Sequence, residues 1–430
     1  MMVGLATCAE EDKISNLPEH LIDSILERLP VQDAVRTSIL SKKWRYRWTK
    51  MGALIFDEHF FKKYAENAPY SRKFVRIINK VLILHKGPIS KFLLHIPKMG
   101  MYLYGFEDVD QWMMLLLRNG VRELILTSSS QSYKLPRYMF SCLELTNLKL
   151  ENCLFKPPLG FEGFINLQHL HLQTIDFTGN FSGTQINLPK LKSLCLDTCT
   201  NVYNFNIKAT KLQVLHVLDC PDAMFCRLFH SPCLTHVAMC LPKPMGKFTR
   251  VERMTLAMML SNLPEMRGLV FDGIFFTVLI PQKIPKWLPH PVNSLKTLCF
   301  LNFKFGDLNQ LHGALCLLRN SPNLEIFSVR TLETECRVIR YDMGPASNHL
   351  ESPHCLDCTL DRLQIVEIRH LKGSKPEMLF IKLLLAHSPS LKKFIIIRSG
   401  TCAANDIAKD VMWFPRASPK AKMIYLNSKT

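Results

Sequence analysis

One short phrase recurs along most of this chain: an apolar residue, two variable ones, an apolar, one variable, and a third apolar. It runs Val121–Leu126, Leu145–Leu150, Leu167–Leu172, Leu191–Leu196, Leu212–Val217 and Leu234–Met239. The starts are 24, 22, 24, 21 and 22 residues apart, which is the period of leucine-rich repeats. Later copies begin at Met266, Leu295, Leu324, Leu363 and Leu391, spaced by 28 to 39, so loops or helices are inserted there. An earlier candidate is Ile89-Phe92-Leu94. Each phrase predicts a short strand whose apolar side chains point inward and stack on those of the next copy, since no unit could bury them alone. Alternation sends the intervening residues to the opposite, concave face. Lys149, His171, Cys195, His216 and Ala238 would line one row of it, with Asn147, His169, Ser193, Val214 and His236 beside them.

Cys153, Cys199 and Cys220 each fall at the ninth position of their repeat, where a compact thiol packs under the turn that follows the strand. The four histidines on the concave face, His169, His171, His216 and His236, are read first as an ordinary solvated surface. With Lys149 they are the candidate residues for contacting a target. The stretch from Phe56 to about Lys86 reads as a junction ahead of the repeats.

The N-terminal segment has a different period. Leu17, Leu21, Ile22, Ile25, Leu26 and Leu29 fall on one helical face, and Glu19, Asp23 and Glu27 line another. Asn16 and Glu19 have capping-box spacing, Pro18 sits in the first turn and Pro30 ends the helix. A second helix is expected from about Gln32 or Asp33, with Ala34, Val35 and Ser38 inward, and a third short one from Ser41 through Trp48. A fragment of this size rarely closes its own core. Part of the apolar face must therefore meet either the rest of the chain or a partner, and periodicity leaves both open.

Composition narrows the class. The 430 residues are 47% hydrophobic and 21% charged, as in an ordinary globular protein with two or three domains. No apolar run reaches the ~18 residues of a membrane-spanning helix, and Met1–Lys13 does not resemble a signal peptide. A cytoplasmic or nuclear location is expected. There, 15 irregularly spaced cysteines stay reduced, and the Asn180-Phe181-Ser182 sequon is silent. The net charge of +18 raises the question of nucleic acid. Residues 1–50 hold eight Lys/Arg against seven Asp/Glu, so the excess lies downstream, scattered apart from small groups such as Lys243, Lys247, Arg250 and Arg253. Nucleic-acid binders concentrate charge in a stripe with stacking aromatics. A diffuse field suits an acidic protein partner or simple solubility better.

His354, Cys355 and Cys358 form a zinc half-site that lacks a second pair, with only the distant Cys336 as a further ligand. No metal or cofactor is expected. Phosphate-binding glycine loops, the zinc-protease helix signature and the serine nucleophile elbow are all missing from the sequence, so no catalytic residue is assigned.

The string Leu17-Pro18, Leu21, Ile25-Leu26, Leu29-Pro30, Asp33, Arg36, Ser38, Leu40-Ser41 and Trp44, continued by Arg45-Tyr46-Arg47-Trp48, resembles the F-box of plant F-box proteins. That resemblance implies docking on a Skp-family linker, which joins the chain to a cullin–RING ubiquitin ligase. The positions carried over as contact or scaffold residues are Leu17, Pro18, Leu21, Ile22, Ile25, Leu26, Val35, Ser38 and Trp44. A second resemblance lies near the C-terminus. Cys358, Arg362–Ile368, Lys372-Gly373, Met378–Ala386, Ser388–Lys393 and Phe414–Ala421 resemble the FBD domain that follows leucine-rich repeats in plant F-box proteins. Its pattern reads strand, amphipathic helix with Leu379, Leu383 and Leu384 inward, strand, helix, and a last strand near Met423–Leu426.

The fold class expected is therefore α/β: a small all-helical F-box over 12–58, an irregular leucine-rich repeat solenoid over 87–340, and an FBD cap over 341–430. The implied function is that of a substrate-recognition adaptor of an SCF-type E3 ligase, itself non-catalytic, with the repeats binding an unknown protein target. The alternatives are an interaction scaffold without ubiquitin chemistry and, third, a nucleic-acid-binding solenoid.

Overall fold

The computed structural model describes residues 14, 17–65, 73–97, 106–129, 133–178, 185–221, 231–241, 256–279, 287–332, 344–398 and 404–427. Asn16, the Asn180 sequon, the Lys243–Arg253 cations and Cys336 lie outside them. The chain divides into two units, 1–175 and 176–430.

In the first unit, helix α1 (Glu19–Leu26) begins directly after Pro18, whose fixed φ of −56° suits the position before a helix. Pro18 thus stands at the cap rather than inside the first turn. Pro30 plays the same part for α2 (Val31–Arg36), so it opens the second helix, which starts a residue earlier than expected. Ala34 is fully buried, whereas Val35 and Ser38 are only half-buried; Val31 and Gln32 take the inner side instead. The expected third helix is a run of turns ending in a 3-10 segment, Arg47–Lys50. Two aromatic side chains there, Trp44 and Trp48, need burial more than the backbone needs a regular helix.

Five parallel strands follow: β1 (Ala53–Phe56), β2 (Lys91–Ile96), β3 (Glu123–Ser128), β4 (Asn147–Glu151) and β5 (His169–Gln173). β1 lies within the 12–58 segment expected to be all-helical and reaches the expected junction only at Phe56. It carries the repeat phrase as Met51-x-x-Leu54-x-Phe56, all three buried, and pairs with β2 in register. Helices Glu58–Ala65 and Lys73–Leu84 fill the rest of that junction, held by an aromatic cluster. Phe56–Phe60 and Phe61–Phe74 have ring centroids 5.1 and 4.9 Å apart in edge-to-face geometry.

The second unit opens with a two-stranded ribbon of β6 (Ile186–Asn187) and β8 (Ile207–Lys208) beside the main parallel run. That run is β7 (Ser193–Asp197), β9 (Val214–Leu218), β10 (His236–Cys240), β11 (Gly268–Asp272), β12 (Thr297–Leu301), β13 (Ile326–Arg330), β14 (Ile365–Leu371), β15 (Lys393–Arg398) and β16 (Lys422–Asn427). Every phrase from Ile89 to Leu391 therefore has its strand. A chain of phenylalanines knits the later repeats, with Phe276–Phe300, Phe300–Phe303 and Phe305–Phe380 centroids 4.8, 5.3 and 5.3 Å apart.

A shared turn explains the repeat. At the eighth position of six phrases stands a residue with positive φ, none of them glycine: Asn152 (56°), Thr174 (52°), Thr198 (52°), Asp219 (50°), Asn302 (51°) and His370 (61°). This left-handed conformation strains residues with a Cβ, yet it goes with a bond from the residue's own backbone N–H to the neighbouring repeat. Asn152, Thr198 and Asp219 N–H groups donate to the carbonyls of Gln173, Leu218 and Cys240 at 2.9, 2.8 and 2.8 Å. The following residue then drops inward. Cys153, Cys199 and Cys220 are buried there, their thiols donating to the carbonyls of Glu151, Asp197 and Leu218 at 3.3, 3.4 and 3.2 Å.

The C-terminal order of strand, helix (Lys375–His387), strand, helix (Ala404–Met412) and strand is as expected. The inward side of the helix Lys375–His387 differs. Phe380, Ile381, Leu384 and Leu385 are buried, while Leu379 and Leu383 are half-exposed. The bulky Phe380 packs against Phe305 and Phe327 and sets the helix's rotation. Glu377 accepts the Ser374 N–H at 2.7 Å at the start of this helix.

Candidate functional site

Two surfaces concern function, and each is built from a few elements. The first is α1 and the segment that braces it. Ile22 and Leu26 point inward and are fully buried, and Trp44 is 2% exposed. Arg47 fixes the arrangement electrostatically: its guanidinium lies 3.0 Å from Glu19 and 3.4 Å from Asp23, one helical turn apart. Lys43 donates to the Leu17 carbonyl at 2.6 Å and the Trp44 indole N–H to that of Ile14 at 3.3 Å. These bonds hold the start of α1 from its own downstream chain.

What the brace leaves outside is apolar. Leu21 and Ile25, one turn apart on α1, are 42% and 40% exposed, and Pro18 is exposed beside them. Ile39 and Leu40, after the second helix, are 88% and 52% exposed. The carried-over residues thus separate. Pro18, Leu21 and Ile25 are exposed, Leu17, Val35 and Ser38 are half-buried, and Ile22, Leu26 and Trp44 support the fold from within. Ile39 was missed by the periodicity because it falls in a 3-10 turn, where helical spacing does not apply.

The second surface is the outward side of the strands. In the first unit, Lys149 registers against His171 and Asn147 against His169. Lys149 lies 4.0 Å from Glu151; His169 is exposed and His171 half-buried. In the second unit, Cys195, His216 and Ala238 form one row and Ser193, Val214 and His236 another. His236 lies across Gly268, where a Cβ would come within 2.5 Å of the imidazole Cδ2. Burial first, and the neighbouring His236 second, pull the His216 pKa below the usual range. The candidate target residues thus fall into two local groups.

Cys355 is buried, with Arg319 bonded to its carbonyl and to Asp357 at 3.1 Å; Cys358 is half-buried. Burial raises both thiols above their ordinary range, against the pull of Arg319. Among the described residues no group of three or more His, Cys, Asp or Glu could hold a metal ion.

Comparison with known proteins places the domains. Residues 14–55 match the F-box domain, residues 109–329 the leucine-rich repeats of FBD-associated F-box protein At5g56370, and residues 353–396 the FBD. The F-box/FBD/LRR-repeat protein At1g13570 of Arabidopsis thaliana is 31% identical over 422 residues, covering 96% of this chain and 98% of its own. The chain belongs to the F-box/FBD/LRR-repeat family. Two further Arabidopsis thaliana relatives, F-box/FBD/LRR-repeat protein At5g56420 and probable FBD-associated F-box protein At1g32375, are 24% and 25% identical. Each match covers 96% of this chain, and 99% and 100% of the relative respectively. As a family member, this F-box/FBD/LRR-repeat protein has the general character of an F-box adaptor. Among its described residues, no helix is long and apolar enough to cross a membrane.

Proposed function

We propose that this protein is the substrate-recognition subunit of an SCF-type E3 ubiquitin ligase. Its F-box would dock a Skp-family linker, and through it a cullin–RING ligase, while the strands' outward side takes the protein target. The chemistry of ubiquitin transfer then belongs to other subunits. The observation that carries this reading is the exposed apolar set on the braced F-box: Pro18, Leu21 and Ile25, joined by Ile39 and Leu40, with half-buried Leu17 beside them. Covering such side chains yields roughly 1–2 kcal/mol each, and the ion pairs of Arg47 present them already ordered, which lowers the entropic cost of docking. Buried Ile22, Leu26 and Trp44 act by holding that surface in place. Working boundaries of 12–58, 87–340 and 341–430 for F-box, repeats and FBD serve for truncation. Work in cytoplasm or nucleus fits this role.

Lys149, His169, His171, His216 and His236 are the residues proposed to touch the target. Co-purification tests the docking half: wild-type protein should retain a Skp-family linker, and Leu17→Ala plus Pro18→Ala should retain much less. A wild-type protein that fails to hold the linker would leave the reading without support.

A further inference from the structure

The outward side of the second unit changes character along its strands. From β7 to β12 its outward strand positions carry no lysine or arginine: the central row is Cys195, His216, Ala238, Val270 and Cys299, Asp197 is the carboxylate at the end of β7, and Asp272 at the end of β11 is buried and accepts the Phe275 N–H. From β13 to β16 cations appear at two opposite corners. Lys393 registers directly against Lys422 at the start of β15 and β16, both exposed. Arg330 registers directly against Arg369 at the far end of β13 and β14. Glu367 is the one carboxylate on this patch, and it is engaged by Arg369 at 2.7 Å.

Like charges placed opposite one another on neighbouring strands oppose sheet formation, and the fold carries two such pairs side by side. On the line between the corners Glu367 registers against Ile395, and the aliphatic pairs Ile395–Ile424 and Ile397–Leu426 flank that line on its β15–β16 side. Leu426 is 48% exposed. Four cations, one carboxylate already engaged by Arg369 and an aliphatic flank make a face of net charge +3, complementary to a chain that is acidic and apolar together.

We propose that this face of β13–β16 is a docking site for an extended acidic peptide segment of a partner protein, bearing carboxylates at both ends and aliphatic residues between. Geometry sets its length. The corners are separated by about four residues along a strand at ~3.3 Å each and about two strand spacings of ~4.8 Å. The diagonal of roughly 16 Å is spanned by about five residues of extended chain. Carboxylates engage Lys393 with Lys422 at one end and Arg330 with Arg369 at the other. The aliphatic contact distinguishes the partner from nucleic acid, which offers phosphates without apolar side chains. The site does not depend on the F-box or on ligase assembly.

A fluorescein-labelled synthetic peptide with an Asp-Glu pair at each end of a short Val/Leu/Ile stretch tests it, by anisotropy with the full-length protein. Binding should fall at least tenfold when the acids become Asn and Gln. It should fall likewise in Lys393→Gln plus Lys422→Gln and in Arg330→Gln plus Arg369→Gln. Raising the salt from about 0.05 to 0.5 M should weaken it strongly, since the charges are exposed. Lys208→Gln plus Lys211→Gln removes the same charge from exposed positions elsewhere in the unit and should bind as wild type. Docking-defective Leu17→Ala plus Pro18→Ala should also bind normally, which separates this site from the linker. Equal binding by the neutral peptide would overturn the proposal. So would equal loss in the Lys208/Lys211 variant, or displacement of the acidic peptide by single-stranded RNA or by phosphatidylserine vesicles in preference to itself.

Discussion

The eighth and ninth positions of each repeat do opposite things with neighbouring residues. Thr198 is β-branched, yet it sits at φ 52° so that its N–H can reach the next repeat. Thr198→Gly should keep that bond and raise the melting temperature, relieving strain of about 1 kcal/mol. A drop of similar size would mean that the Thr198 hydroxyl bond to Asp197, 2.8 Å long, is worth more than the strain. One residue further on, burial pushes the Cys153 thiol up to about 12. A thiol whose folded pKa is raised contributes its full stability below the unfolded value of ~8.5 and loses it as pH climbs toward the folded one. The protein should therefore lose stability above about pH 9. Cys153→Ala should lose less over that window, and a parallel decline in both would remove this thiol as a cause. That these positions are special was legible only in part. The cysteines were visible as ninth residues, but Asn, Thr, Asp and His share no signal that announces a left-handed backbone.

At the scale of elements, α1 separates support from contact within one turn. Ile22 and Leu21 are adjacent, but the first is fully buried and the second 42% exposed. Ile22→Ala should destabilise by about 2–5 kcal/mol, read as a shift in denaturant midpoint. Leu21→Glu plus Ile25→Glu should leave that midpoint nearly unchanged, because exposed substitutions cost little; a large shift would show that this side is packed within the chain. The apolar stripe told of a helix and of more apolar surface than it could cover. It could not tell which residues face inward, since six apolar positions cover more than one side. The strands were plainer. Their alternation at a fixed period located all of β2–β5, β7 and β9–β15. β1 escaped because Met51–Phe56 lies inside the 12–58 segment read as an all-helical F-box, and inward Phe380 was passed over for Leu379 and Leu383 because its packing partners, Phe305 and Phe327, are far away in sequence.

For the whole molecule, repeat architecture means that stability is a sum over neighbouring contacts. Leu194 is fully buried in β7 and stacks in register on Leu215. Leu194→Ala should cost about 2–5 kcal/mol while leaving linker retention intact, if F-box and repeats are separate modules. The charge of +18 is a property of the whole chain that patterning could not place. Only strand register shows that part of it gathers on β13–β16 while β7–β12 have none on that side. The domain series, by contrast, was legible from end to end, because the F-box and FBD segments carry fixed residues and the repeats carry a period.

Everything proposed for this protein as an adaptor turns on the F-box meeting its linker. Titration of the purified full-length chain with a purified Skp-family linker measures that contact directly. The account predicts saturable one-to-one binding by wild type, and by Leu194→Ala at temperatures where it stays folded. Leu21→Glu plus Ile25→Glu should weaken it at least a hundredfold with an unaltered melting temperature. Binding that survives this pair of substitutions, or a folded wild-type chain that does not bind at all, would contradict it.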